Sequence, residues 1–101
     1  MVALEEPTLS DLVEYLHDSD AGVRRAAVAV LVENLPDGYQ PNLVAALGDD
    51  DGSVRAESAD ALRELVEVLP APAAVAPYLT SADPVVRAVT LYVLSSRRAG
   101  A

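Results

Sequence analysis

The fold follows from the stretch Leu16-His-Asp-Ser-Asp-Ala-Gly-Val-Arg-Arg-Ala-Ala-Val-Ala-Val-Leu31, because its pattern occurs three times in the chain. The second copy is Leu47-Gly-Asp-Asp-Asp-Gly-Ser-Val-Arg-Ala-Glu-Ser-Ala-Asp-Ala-Leu62, and the third is Leu79-Thr-Ser-Ala-Asp-Pro-Val-Val-Arg-Ala-Val-Thr-Leu-Tyr-Val-Leu94. The copies align without a gap and share the first Leu, an Asp, a Val-Arg pair and the last Leu. Self-similarity at an interval of about thirty residues predicts a stack of helical repeats.

Each shared position has a physical role in a helix. The Asp residues of the three copies fit N-caps, where a short acceptor side chain satisfies free backbone N–H groups. Pro84 then falls on a first helical position, where a missing N–H costs nothing. In the second copy the apolar residues recur at helical spacing and predict a buried face, made of Val54, Ala61, Leu62, Leu65, Val66 and Leu69.

The pattern predicts six helices, alternately short and long, at about 8–17, 20–35, 40–48, 51–69, 72–80 and 83–97. The clusters Pro36-Asp37-Gly38 and Pro70-Ala71-Pro72 separate the copies. Pro77 lies inside the fifth helix and predicts that it is kinked, short or partly 3₁₀. We therefore expect one domain at 8–97, with repeats at about 8–36, 39–70 and 71–97, flanked by tails at 1–7 and 98–101.

The pattern, best kept from Leu16 to Leu31, resembles the HEAT-like repeats first described in phycobilisome lyases, and the resemblance covers about residues 8–97. It implies an all-α fold, a right-handed α-α superhelix of three helix pairs, in which the second helix of each pair lines the concave face. It also implies a ladder in which the recurrent arginines pair with turn aspartates of their own or a neighbouring repeat. The expected ladder residues are Asp20, Arg24, Asp51, Arg55, Asp83 and Arg87. Ser81 replaces an aspartate in the third copy and predicts a weaker ladder there.

Composition excludes several classes of function. The chain has no cysteine, a single histidine and a formal net charge of −9. Disulfides and thiolate chemistry are therefore absent, and the acidic field disfavours nucleic acid and anionic membranes as partners. No apolar run reaches the length of a membrane span, and the N-terminus lacks the basic start of a secretion signal. We expect a soluble cytoplasmic protein.

No catalytic, metal or cofactor site is predicted. Asp49-Asp50-Asp51-Gly52 superficially resembles a calcium loop, but Ser58 stands where an EF-hand needs its glutamate. His17 is the only base available to the serines, so no nucleophile and base can be assembled. HEAT-like folds also occur in a few DNA glycosylases, but the inferred concave face lacks the basic groove that such an enzyme needs. We expect a protein that is not an enzyme.

The outer long helices are more apolar than the middle one, although end repeats should carry polar faces. Val28 and Leu91 take the place of Ala59, and Tyr92 takes the place of Asp60. Exposed apolar surface predicts a partner, so we expect an interaction scaffold that binds a protein or peptide on the face of the second helices. The candidate contact residues are Arg25, Val28, Val32, Arg63, Leu91 and Tyr92.

Three alternatives remain open from the sequence. The chain could be an accessory subunit of an enzyme that cradles a ligand or client. It could associate with itself as a homo-oligomer, or belong to a longer repeat array. Val2 and Leu4, or the C-terminal tail, could instead fold over the apolar faces.

Overall fold

The computed structural model describes residues 7–96, and the predicted cover by Val2, Leu4 or the C-terminal tail lies outside them. Within this range the chain forms five α-helices and three 3₁₀ segments, with no strand. The α-helices are α1 Leu9–Leu16, α2 Ala21–Asn34, α3 Tyr39–Ala45, α4 Gly52–Glu64 and α5 Pro84–Ser96, and the 3₁₀ segments are Ala46–Gly48, Val66–Val68 and Pro72–Thr80. The predicted all-α repeat solenoid is confirmed.

The helices form three pairs that stack along the chain. α1 packs on α2, α3 and its 3₁₀ extension Ala46–Gly48 pack on α4, and the 3₁₀ helix Pro72–Thr80 packs on α5. The second members α2, α4 and α5 also pack side by side, α2 against α4 and α4 against α5. The described part of the chain is elongated, with principal extents of 47 × 29 × 16 Å, because each pair contacts its neighbours in a row.

The second helix of each pair begins at the predicted aspartate. Asp20 Oδ1 accepts a hydrogen bond from the Val23 N–H at 3.1 Å, and Asp51 Oδ1 accepts from the Val54 N–H at 3.2 Å. At the start of α5, Asp83 Oδ1 accepts a hydrogen bond from the Val85 N–H at 2.8 Å. Each side chain satisfies a backbone donor that the first helical turn leaves free. The predicted N-caps are confirmed for Asp20 and Asp51.

One α-helix is shorter than predicted and the fifth helix is 3₁₀ along its whole predicted length, and prolines explain both. The predicted helix 51–69 ends as an α-helix at Glu64 and continues as the 3₁₀ segment Val66–Val68. Pro70 follows, and a residue before proline is pushed into extended backbone, which Leu69 adopts at φ −64°, ψ 126°. The segment Pro72–Thr80, which contains Pro77, is 3₁₀ throughout.

The core is a continuous row of leucine and valine side chains between the paired helices. The small residue early in each second helix is also buried, as Ala27, Ser58 and Thr90. Both hydroxyls are satisfied: Ser58 Oγ donates to the Leu43 carbonyl at 2.6 Å, and Thr90 Oγ1 donates to the Val86 carbonyl at 2.8 Å. Serine and threonine therefore take the place of Ala27 in the second and third pairs without leaving a buried polar group unpaired.

The turn between the first two pairs depends on left-handed backbone. Leu35, the C-cap residue that follows α2, has a φ of 46°, and Gly38 precedes α3 with a φ of 84°. A Cβ atom added at Gly38 would lie 3.2 Å from Leu9 Cδ2. Glycine is therefore favoured at position 38 both by its φ and by the close approach of α1.

Candidate functional site

Arginines at the start of the second helices connect successive helix pairs. Arg24 of α2 donates from Nε and Nη2 to the two carboxylate oxygens of Asp49, each at 2.9 Å. Arg24 Nη2 also donates to Asp50 Oδ1 at 3.0 Å. A guanidinium and a carboxylate that meet in this two-bonded arrangement hold both distance and orientation. The pair therefore fixes the turn before α4 on the start of α2.

The second connection uses a different aspartate. Arg55 of α4 donates from Nε to Asp83 Oδ2 at 2.7 Å. Ser81 stands at the position equivalent to Asp49 and has no carboxylate, so the arginine binds the capping aspartate two residues further along. Ser81 Oγ accepts a hydrogen bond from the Asp83 N–H at 3.1 Å and helps to hold that carboxylate.

The expected ladder residues are therefore brought together in part. Arg55 and Asp83 meet directly, whereas Arg24 binds Asp49. Asp20 and Asp51 cap their helices and form no ion pair among the described residues. An aspartate four residues before an arginine of the same helix is occupied by the free N–H groups of the first turn. The arginine side chain instead reaches the next helix pair.

Carboxylate acidity follows these contacts. The hydrogen bonds from Arg24 hold the pKa of Asp49 below its ordinary value, and the same contacts raise the pKa of Arg24. Hydrogen bonding from Arg55 lowers the pKa of Asp83. The pKa of Asp51 is lowered by hydrogen bonds from the Ser53 hydroxyl and from backbone N–H groups. The turns between pairs thus hold ionised carboxylates whose partners stabilise the charged form.

A second set of contacts runs across the exposed side of the second helices. Arg25 of α2 lies 3.3 Å from Glu57 of α4, measured from Nε to Oε1. Arg63 of α4 lies over the ring of Tyr92 of α5, with its guanidinium carbon 5.0 Å from the ring centroid. We call the exposed surface that carries Arg25, Arg63 and Tyr92 the second-helix face.

The other predicted contact residues differ in their exposure to solvent. Leu91 and Tyr92 are exposed, at 59% and 39% of their surface, and Val32 is half-buried. Val28 is only 1% exposed, so its prediction as a contact residue is wrong. The side chain faces the second helix pair, where it lines a small cavity together with Val54. Its hydrophobicity therefore serves the core rather than a partner.

Two depressions on the described part of the chain are open to solvent. One depression, of about 650 Å³, lies at the turns between the second and third pairs and is lined by Asp49, Arg55, Tyr78 and Asp83 among others. A shallow groove between α2 and α4 is lined by Gly22, Arg25, Ala26, Ala29 and Glu57. Over residues 7–96, no group of three or more histidine or acidic side chains is arranged to hold a metal ion. No helix in that range is long and apolar enough to cross a membrane.

Sequence reasoning missed one polar connection between pairs. Gln40 is buried, and its amide donates to the Ala71 carbonyl at 2.7 Å and accepts from the Ala71 N–H at 2.9 Å. This two-bonded contact joins the start of α3 to the start of the next pair. A single glutamine beside a proline carries no periodic signal, so nothing in the pattern singled it out.

Comparison with known proteins agrees with this architecture. The profile of a family described as HEAT repeats matches residues 9–95, which is most of the chain. No curated protein and no solved structure matches it.

Proposed function

Since the chain belongs to the family of HEAT repeats, whose members are generally protein-interaction scaffolds, we propose that it binds a protein or peptide through the second-helix face. The proposal rests on one observation: Tyr92 is exposed on this face although its position in the middle repeat is an aspartate. An exposed aromatic ring beside an arginine is typical of binding hot spots, in which tyrosine and arginine are enriched.

The surroundings of Tyr92 support an anchoring role. Arg63 lies over the ring, 5.0 Å from its centroid, and this cation–π contact favours one orientation of the ring before a partner arrives. Arg25 lies on the same face at the opposite end and carries a charge only partly engaged by Glu57, since the arginine side chain is 58% exposed. A ring that is already ordered loses little conformational entropy on binding. The face therefore combines an apolar anchor with a cation that can pair with an acidic or backbone group of the partner.

The chemistry of the described residues supports binding rather than catalysis. His17 is the only histidine in the sequence, and no serine within residues 7–96 is hydrogen-bonded to its side chain. The depressions are open and shallow rather than enclosed around reactive groups. An accessory subunit of an enzyme, suggested by the phycobilisome-lyase likeness of the repeat, would use the same face for its client.

Site-specific photocrosslinking tests the proposal. A benzophenone amino acid placed at Tyr92 should form a covalent adduct with one protein in lysate of the source cell. The same group at Val68, which is more exposed but lies in the 3₁₀ segment after α4, is the matched control and should not. The purified partner should then bind the wild type and lose about tenfold or more in affinity for the double variant Arg25→Glu with Tyr92→Asp. Adducts formed equally at both positions, or unchanged affinity, would contradict the proposal.

A further inference from the structure

The arginine ladder has a free donor at one end of the stack. In all three copies Nη1 of the arginine donates to the backbone carbonyl six residues earlier: Arg24 to Asp18 at 2.8 Å, Arg55 to Asp49 at 2.7 Å and Arg87 to Ser81 at 2.7 Å. This bond sets each guanidinium in the same orientation. Arg24 and Arg55 then reach a carboxylate of the next pair, whereas no carboxylate within residues 7–96 pairs with Arg87.

The opposite end of the stack has a free acceptor in the matching position. Asp18 occupies the place in the first turn that Asp49 occupies in the second. Asp18 Oδ1 accepts from the Asp20 N–H at 2.8 Å, as Asp49 Oδ1 accepts from the Asp51 N–H at 2.9 Å. The two carboxylates are therefore held alike. Asp49 binds Arg24, but no arginine of the described chain reaches the carboxylate of Asp18.

Apolar side chains at the two ends of the stack also correspond to residues that meet at an internal joint. At the internal joint between the first and second pairs, Leu16 and Val28 line one side of a small cavity, and Ala46 and Val54 line the other. The positions equivalent to Leu16 and Val28 in the last pair are Leu79 and Leu91, which are exposed.

On the first pair, the positions equivalent to Ala46 and Val54 are Tyr15 and Val23, and these are exposed as well. They line an open, wholly apolar groove on α1 and α2. We call Leu79, Arg87 and Leu91 the C-terminal end face, and Tyr15, Asp18 and Val23 the N-terminal end face. The C-terminal end face carries the residues equivalent to one side of the internal joint, and the N-terminal end face carries the residues equivalent to the other side.

We propose that the C-terminal end face of one molecule stacks on the N-terminal end face of a second copy, with Arg87 bound to Asp18 of that copy. Leu79 and Leu91 then pack against Tyr15 and Val23, in the register of the internal joint. A second copy is the occupant that these observations favour, because it supplies both the carboxylate and the apolar residues at the spacing already used inside the molecule. The second-helix face runs along the side of the stack and takes no part in the joint.

The two end faces are different surfaces, so this association is head-to-tail and does not close on itself. We expect the average mass in solution to rise continuously with protein concentration rather than stop at a dimer. We also expect the association to weaken with salt, because the Arg87 to Asp18 contact lies near the surface. Both quantities are measured by light scattering or sedimentation velocity.

Charge reversal tests the register directly. Arg87→Asp and Asp18→Arg should each lower the association constant about tenfold or more, because each places like charges across the joint. An equimolar mixture of the two variants should recover association, because every joint between unlike molecules then pairs an arginine with an aspartate. Glu67→Arg, which reverses an exposed carboxylate in the 3₁₀ segment Val66–Val68 outside both end faces, is the control and should associate like the wild type.

Leu91→Asp provides a check that leaves the ladder unchanged and should also lower association. Circular dichroism of each variant confirms that it is folded. A wild type that stays monomeric at all concentrations, a closed dimer, or a mixture that fails to recover association would overturn the proposal. None of these results would bear on binding at Tyr92, which the photocrosslinking experiment tests separately.

Discussion

Arg24 and Asp49 lie 25 residues apart in the sequence and meet through two parallel hydrogen bonds of 2.9 Å. The contact ties α2 to the turn that precedes α4, and each of its side chains is only 14% exposed. It is therefore a shielded connection between two helix pairs rather than an isolated surface ion pair.

Removal of the Asp49 carboxylate should destabilise the fold. We expect Asp49→Ala to lower the midpoint of thermal unfolding by several degrees, because it leaves the shielded guanidinium of Arg24 with only the exposed Asp50 as a carboxylate partner. The control is Asp50→Ala, whose side chain is almost fully exposed and should shift the midpoint little. Calorimetry of both variants measures the difference, and equal shifts would contradict the assigned role of Asp49.

Stability should fall in acid. The pKa values of Asp49 and Asp83 are lower in the folded chain than their ordinary values, because Arg24 and Arg55 stabilise the ionised forms. The resulting stability is fully present above the unfolded pKa of about 3.9 and is lost as the pH falls through the folded values. We expect the unfolding midpoint to be nearly constant from about pH 7 to 5 and to drop below about pH 4. The double variant Asp49→Asn with Asp83→Asn should show a smaller acid-dependent drop; an identical pH profile would contradict the ladder's part in it.

Truncation of a leucine side chain should destabilise the fold according to whether that leucine is buried in the stack. Leu62 of α4 is fully buried, so Leu62→Ala should lower the free energy of unfolding by about 2–5 kcal/mol. Leu91 of α5 is exposed, so Leu91→Ala should change it by less than about 0.5 kcal/mol in the monomer. Urea denaturation at low protein concentration measures both. A large cost at Leu91 under these conditions would mean that this residue is covered within the molecule.

Two glycines should respond oppositely to alanine. Gly38→Ala should destabilise the chain by about 1–2 kcal/mol, because its φ is 84° and the new Cβ would approach Leu9. Gly52→Ala, at the first position of α4, meets only the flexible end of Arg55 at 3.4 Å and should be neutral or stabilising by up to about 1 kcal/mol. Chemical denaturation compares the two, and a tolerated alanine at position 38 would contradict the turn geometry.

Much of this architecture could be predicted from the repeat alone. The Asp positions fixed the helix starts, and the spacing of residues such as Val54 and Leu62 fixed the buried face, because both signals are local and periodic. The role of Pro77 also followed from local backbone chemistry. The choice of Asp49 rather than Asp20 as the partner of Arg24 did not, since it depends on how far one helix pair lies from the next.

The sequence pattern also could not predict which apolar residues are exposed. Val28 and Leu91 are equivalent and both apolar, yet one is buried and the other exposed. A helical pattern gives the direction in which a side chain points but not whether another pair covers it. Position within the stack, which only the assembled structure shows, separates a core residue from an exposed one. Gln40 was missed for a related reason, because its partner Ala71 lies on another helix pair.

Chemical-shift mapping provides the direct test that a protein partner binds the second-helix face. The ¹⁵N-labelled chain is titrated with the protein that crosslinks to position 92. We predict shift changes concentrated at exposed positions of α2, α4 and α5, including Arg25, Arg63 and Tyr92, with little change along α1 and the 3₁₀ helix Pro72–Thr80. Shift changes confined to α1 and Pro72–Thr80, or no shift changes at a saturating concentration of the partner, would contradict binding at the second-helix face.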